Sequence, residues 1–355
     1  MVDRTRVGPA PAGPAARQSA GGVAGQGGDD RGRLRGSRVA PARATPPGPD
    51  RARASTRGTG VRRSRTAAGL RASRWGVVLV EPIRSWLYVP AHRIELLGKA
   101  MSGQTDAVVL DLEDAVPADA KRPARDRVTE ALTQRWPKPI WVRVNSLESP
   151  WGRADLAALA GSAAAGLRLP KAEDPDLVRA AVQESGLAVH AIIESALGVE
   201  NAYRIATAHP GVALLSLGEA DLMADLRLGE LGALDWARQR IVNASRAAGL
   251  PSPPLAAWTD VADVAGLAAD TRAAGRRGFF GRSVLHPTQV GVVNQIFTPD
   301  PGEVAAARAR LAGQVGRDAA AWLDEQGRFV DAALLANARW LVDLADALAR
   351  KEADA

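Results

Sequence analysis

The chain has 355 residues, 46% of them hydrophobic, enough to bury one large core or two small ones, and a formal charge of +7. That charge is uneven: residues 1–75 hold 16 Arg, four Asp and no Lys or Glu, which leaves 30 basic against 35 acidic residues in the remainder. No basic partner surface should therefore be assigned to the folded part. The absence of cysteine excludes disulfides and thiolate chemistry, and no apolar run reaches the roughly 18 to 20 residues that cross a bilayer.

Residues 1–76 are dominated by Gly, Ala, Pro, Arg and Ser without helical or strand periodicity, and are expected to be disordered. Arg-Gly pairs such as Arg31-Gly32 and Arg35-Gly36 suit phosphates, but no aromatic residues are interleaved for base stacking, so nucleic acid is not the expected partner. A transit peptide would be Arg-rich too, yet the many Gly and Pro residues oppose its amphipathic helix. The preferred reading is an extension without function, from a start codon placed too far upstream, with ordered sequence beginning near Val77.

From Ile83 onward, short apolar runs alternate with longer stretches of helical period. Eight strands are expected: Ser85–Val89, Ala107–Leu112, Ile140–Val144, Gly166–Leu169, Val189–Ile193, Ala213–Leu217, Leu255–Ala257 and Phe279–Leu285. Their near-continuous apolarity and their spacing predict an α/β fold, a (β/α)8 TIM barrel over residues 77–312, followed by a helical segment over residues 313–355. The glycine-rich turns of dinucleotide and Walker-type sites are missing, so neither route to nucleotide binding is expected.

Charged residues gather at the carboxyl ends of these strands: Asp111, Glu113, Asp114, Arg143, Asn145, Lys171, Glu194 and Asp221. In a β/α barrel that rim carries the active site. Glu194 and Asp221 follow adjacent strands and would aim two carboxylates at one point, which suits Mg2+ or Mn2+. The bland alternative makes each an N-cap of the following helix. Arg143 is the fixed cation of Trp-Val-Arg-Val-Asn and could clamp a substrate carboxylate, or be held in a buried ion pair with Glu113 or Asp114; both can be true, the acids orienting Arg143. A structural, hydrogen-bonding role is favoured for His286, whereas His92 is left between an acid or base on the rim and an ordinary loop histidine.

The segments Arg84-Ser-Trp-Leu-Tyr-Val-Pro, Leu110-Asp-Leu-Glu-Asp-Ala-Val, Val142-Arg-Val-Asn, Pro150-Trp-Gly, Leu169-Pro-Lys, Ile193-Glu-Ser-Ala-Leu-Gly, Gly218-Glu-Ala-Asp-Leu and Leu285-His-Pro-Thr-Gln occur in that order. Together they resemble the citrate lyase β-subunit-like, CoA-ester lyase group of the HpcH/HpaI aldolase superfamily, from Arg84 to about Ala336. The resemblance implies a homo-oligomeric (trimer or hexamer) lyase with Mg2+ on Glu194 and Asp221, while the lack of cysteine and of an apolar span leads to the expectation of a cytoplasmic protein. Its substrate would be an acyl thioester of CoA or acyl carrier protein, with its carboxylate on Arg143 beside Glu113 and Asp114. It also implies a base from a neighbouring subunit's carboxyl-terminal segment, and Gly327-Arg-Phe-Val-Asp-Ala-Ala-Leu-Leu points to Asp331, which with Arg143 makes up the catalytic pair. The residue-level alternative for Asp331 is an ordinary helix-start acid. Arg84, Arg93 or Lys171 could meet the phosphates of CoA, and the sequence does not choose among them. Ala91, Ile94, Ser195, Ala220 and Ala332 depart from the family pattern, but none removes a metal ligand or Arg143, so activity is expected.

Overall fold

The computed structural model describes residues 70–71, 79–314, 321–324 and 327–353; the expectation for residues 1–76 thus lies almost wholly outside the described residues. Seven parallel strands form one sheet: β1 (Ser85–Pro90), β2 (Ala107–Asp111), β3 (Ile140–Arg143), β4 (Gly166–Leu169), β5 (Val189–Ile193), β6 (Val212–Leu217) and β7 (Arg282–Val284). Their order is β6-β5-β4-β3-β2-β1-β7. The connections carry helices α1 (Leu97–Ser102), α2 (Lys121–Ala131), α3 (Gly152–Leu159), α4 (Pro175–Ser185), α5 (Ala196–Ala206), α6 (Glu219–Leu226), α7 (Asp235–Ala247) and α8 (Val264–Gly275), and α9 (Pro287–Phe297) follows β7. The β2, β5 and β6 strands are buried at every position, which explains why they read as near-continuous apolar runs.

Contacts across the concave face show that the sheet is curled. Arg168 on β4 donates from Nη1 to Ser283 Oγ on β7 at 3.1 Å, although four strand spacings of about 4.8 Å would hold the two strands about 19 Å apart in a flat sheet. Trp86 of β1, Trp141 of β3 and His190 of β5 meet edge to face with ring centroids 5.5 to 6.2 Å apart. Alternation along β3 sends Trp141 inward, while Ile140 and Val142 join the core between sheet and helices. Space for the indole comes from β4, since a Cβ on Gly166 would lie 2.4 Å from the Trp141 ring.

A closed eight-stranded barrel was expected and is not observed. Leu255 alone, of the expected strand Leu255–Ala257, bridges to Arg282, and among the described residues no ladder joins it to β6. Pro251, Pro253 and Pro254 precede it and cannot donate ladder hydrogen bonds. The last expected strand, Phe279–Leu285, is confined to Arg282–Val284.

Beyond α9, α10 (Pro301–Gln314) and α11 (Ala332–Ala353) pack through Ala307, Ala338 and Val342. The far end of α11 reaches the amino ends of β1 and β2, where Lys351 Nζ lies 3.5 Å from Asp106 Oδ2 and Glu352 accepts from Arg84 Nη1 at 2.9 Å. No described helix is long and apolar enough to cross a membrane.

Candidate active site

At the carboxyl ends of the strands, Asp111 and Arg143 are register partners on β2 and β3. Arg143 donates from Nε and Nη2 to the two Asp111 oxygens at 2.7 and 2.6 Å, a bidentate pair. Its Nη1 lies 2.8 Å from Glu113 Oε2 and 3.3 Å from Asp114 Oδ2. Burial alone would lower the Arg143 guanidinium, but its hydrogen bonds to Asp111 together with the charges of Asp111 and its other acidic neighbours hold it above its ordinary range. The Glu113 contact is close but poorly aligned, leaving Oε2 without a hydrogen bond. Burial accordingly pushes the Glu113 carboxyl up to about 8, despite the opposing charge of Arg143. Arg143 therefore is not an open clamp. Of its three acidic partners Asp114 is the exposed one, with 69% of its side chain accessible, against 9% for Glu113 and 1% for Asp111.

The loop after β2 is pinned from below. Lys121 Nζ donates to the carbonyls of Leu112 and Glu113 at 2.9 and 2.7 Å, and Asp111 accepts from the Glu113 amide at 3.0 Å. After β3, Asp155 holds Asn145 by its amide at 2.9 Å and its Nδ2 at 2.7 Å, and is itself paired with Arg125. The ring of Tyr88 lies 5.1 Å from the Arg143 guanidinium carbon and 5.2 Å from that of Arg168, so one phenol ring contacts two cations.

Glu194 follows β5 and is buried. Its Oε1 accepts from the Lys171 amide at 2.8 Å, delivered by a non-glycine residue at φ 51°, a left-handed conformation that costs on the order of 1 kcal/mol or more. Burial, and next the charge of Asp221, push the Glu194 carboxyl up to about 7. Neither acid is an N-cap: Ser195 caps α5, accepting from the Gly198 amide at 3.1 Å, and Gly218 precedes α6, placing Asp221 in its first turn. Gly218 is required here, since a Cβ would lie 2.3 Å from Glu194 Oε2.

Glu113, Asp114, Arg143, Glu194 and Asp221 thus act on one another as a single electrostatic group. Arg84 is not brought to it. It precedes β1 and stands at the opposite end of the sheet, donating from Nε and Nη2 to Asp106 at 3.0 Å each, and from Nη1 to Thr298 and Glu352. Its position before Ser85 was the signal in the sequence, because active-site rims lie after strands. Arg93 pairs with Glu95 on the exposed turn after β1. Asp331 caps α11, accepting from the Leu334 amide at 2.8 Å, and no hydrogen bond or ion pair among the described residues joins it to Glu194, Asp221 or Arg143 within the chain. His286 caps α9 in a reciprocal box with Gln289, the structural role favoured for it, while His92 Nδ1 is buried without a partner. Sequence reasoning missed Asp111 as the main partner of Arg143, though both are the last residues of neighbouring strands.

Over residues 84–287 the chain matches the model of the HpcH/HpaI aldolase/citrate lyase family. It is 35% identical over 238 residues to a (3S)-malyl-CoA thioesterase of Cereibacter sphaeroides, covering 65% of this chain and 82% of the relative. To an L-malyl-CoA/beta-methylmalyl-CoA lyase of the same species it is 32% identical over 306 residues, covering 75% and 95%. Among solved structures, protein CitE from Mycobacterium tuberculosis in complex with magnesium, acetoacetate and coenzyme A matches with a TM-score of 0.63 at 32% identity, over 75% of this chain and 98% of that one. The chain belongs to the HpcH/HpaI aldolase/citrate lyase family. It is an enzyme of the lyase class.

Proposed function

We propose that the protein is a Mg2+-dependent carbon–carbon lyase that cleaves a 3-hydroxy-3-carboxylate acyl thioester of the citryl-, malyl- or citramalyl-CoA type into a 2-oxo acid and an acyl thioester. The observation that carries the reading is the buried Glu194 carboxylate after β5, facing the charge of Asp221 in the first turn of the helix after the adjacent strand β6, beside a fixed guanidinium. Two neighbouring carboxylates, one of them with a single hydrogen bond from Lys171, fit a hard divalent cation that completes its shell with water or substrate oxygens. Among the described residues no three acidic or histidine side chains converge to hold a metal unaided. When bound, the ion supplies Lewis acidity at the oxygens that become the oxo acid. The likeness to a structure holding magnesium, acetoacetate and coenzyme A supports both the ion and a CoA thioester.

Arg143 takes the substrate carboxylate by releasing Asp114, its exposed partner, while Asp111 keeps the guanidinium plane fixed. A base removes the hydroxyl proton, the carbon–carbon bond breaks toward the thioester carbonyl, and the resulting enolate is protonated to the product thioester. Asp331 of a neighbouring copy is the proposed base. Exposed Leu323 and Phe329 beside it, and exposed Leu197 and Trp236 that line one surface pocket at the start of α5, offer apolar surface for an association between copies.

The likeness to a malyl-CoA thioesterase favours a second reading, hydrolysis of the same thioester. An assay of citryl-, malyl-, methylmalyl- and citramalyl-CoA with and without Mg2+ decides between them. Released oxo acid with the thiol still esterified is the expected result. Free thiol without oxo acid would replace the lyase by the thioesterase.

A further inference from the structure

Behind α6 lies an array of two cations and two carboxylates, buried except for the partly exposed Asp270, that the proposed chemistry does not use. Glu219, the first residue of α6, accepts from Arg238 Nε at 2.7 Å and Nη2 at 2.8 Å. Arg238, on α7, reaches Asp270 of α8 with Nη1 at 3.2 Å, and the other Asp270 oxygen pairs with Arg282 of β7. Glu219, Arg238 and Arg282 are 8%, 4% and 1% exposed. Burying such an array contributes little net stability, since desolvation cancels most of the attraction, so its use lies in fixing a geometry.

What it fixes is the start of α6. A helix start is ordinarily tied down by an Asp, Asn, Ser or Thr cap, but position 218 has to be Gly because any Cβ would meet Glu194 Oε2 at 2.3 Å, and α6 has no side-chain cap. The anchor is displaced by one residue to Glu219. At about 100° per residue, side chains two positions apart on a helix point about 200° apart, so holding Glu219 toward α7 turns Asp221 toward the rim and against the repulsion of Glu194.

We propose that Glu219, Arg238, Asp270 and Arg282 are positioning residues that set the direction of the Asp221 carboxylate, and with it the affinity of the site for a divalent cation. This rests on the reading that Glu194 and Asp221 hold that cation. The test is Mn2+ binding to the full chain by titration calorimetry, with the thermal midpoint of each variant measured alongside. Glu219→Gln and Arg238→Gln are expected to weaken Mn2+ by about 10- to 100-fold, the usual cost of removing a partner behind a ligand, with Arg238→Lys recovering part of the loss. Asp270→Asn leaves the Glu219–Arg238 pair in place and should weaken Mn2+ in the same direction by less, which keeps the test open if the Arg238 variant does not fold. Mn2+ affinity within twofold of the parent in folded variants, whatever their thermal midpoints, would overturn the proposal. Asp221→Asn separates the two readings: if it binds Mn2+ like the parent, the cation site itself fails, whereas loss there with no effect at Glu219 and Arg238 sinks the positioning role alone.

Discussion

Glu194 and Glu113 are the two rim carboxyls that burial perturbs most. Both carboxyls are raised, to about 7 and about 8, first by burial and then by neighbouring charges. An acid whose folded value exceeds its unfolded value of 4.5 contributes stability that is fully present below about pH 4.5 and is lost as pH rises through the folded value. Without metal, the protein should therefore lose stability between about pH 5 and pH 8.5. At 1.36 kcal/mol per unit, Glu194 accounts for roughly 3 kcal/mol of that loss. Thermal unfolding in EDTA across this range measures it, Mg2+ should restore much of the midpoint at pH 8, and Glu194→Gln should reduce the slope while leaving the part due to Glu113. A flat profile for the parent in EDTA would contradict the assigned burial.

At the level of elements, the register of β2 against β3 decides the state of Arg143, and the latch between α11 and the amino ends of β1 and β2 decides that of Arg84. Burial would raise Asp106, yet the hydrogen bond from Arg84 and the charge of Lys351 bring it below its ordinary value. Removing one partner of such a pair leaves an uncompensated buried charge, which costs about 3 to 5 kcal/mol. Arg84→Met is accordingly expected to lower the thermal midpoint strongly while leaving KM for the thioester within twofold. A tenfold rise in KM at unchanged stability would return Arg84 to the substrate site. Motif reading placed Arg84 with the substrate because the residues of a motif are adjacent in sequence, whereas the length of a strand sends its two ends to opposite faces.

The proposed role of Asp331 is tested at the scale of the whole molecule. If the site is shared between copies, mixing Asp331→Asn with Glu194→Gln chains under conditions of subunit exchange should restore about a quarter of the sites, because one copy then supplies both metal ligands and another the base. Turnover of the mixture is the measurement; none above that of the separate variants would mean that Asp331 is no more than the α11 cap. The first six strands and the polarity of their ends were legible in the sequence, because a strand covered on both faces is mostly apolar and the charges clustered after the strands mark the rim. Residue type alone likewise singled out two carboxylates and an arginine as a group. Tertiary structure alone decided that prolines reduce the expected seventh strand to the single bridge of Leu255, that Asp111 occupies Arg143, and that Gly218 moves the anchor of α6 onto Glu219. These outcomes depend on which side chains compete for the same few ångströms, and spacing along a chain carries no record of that competition.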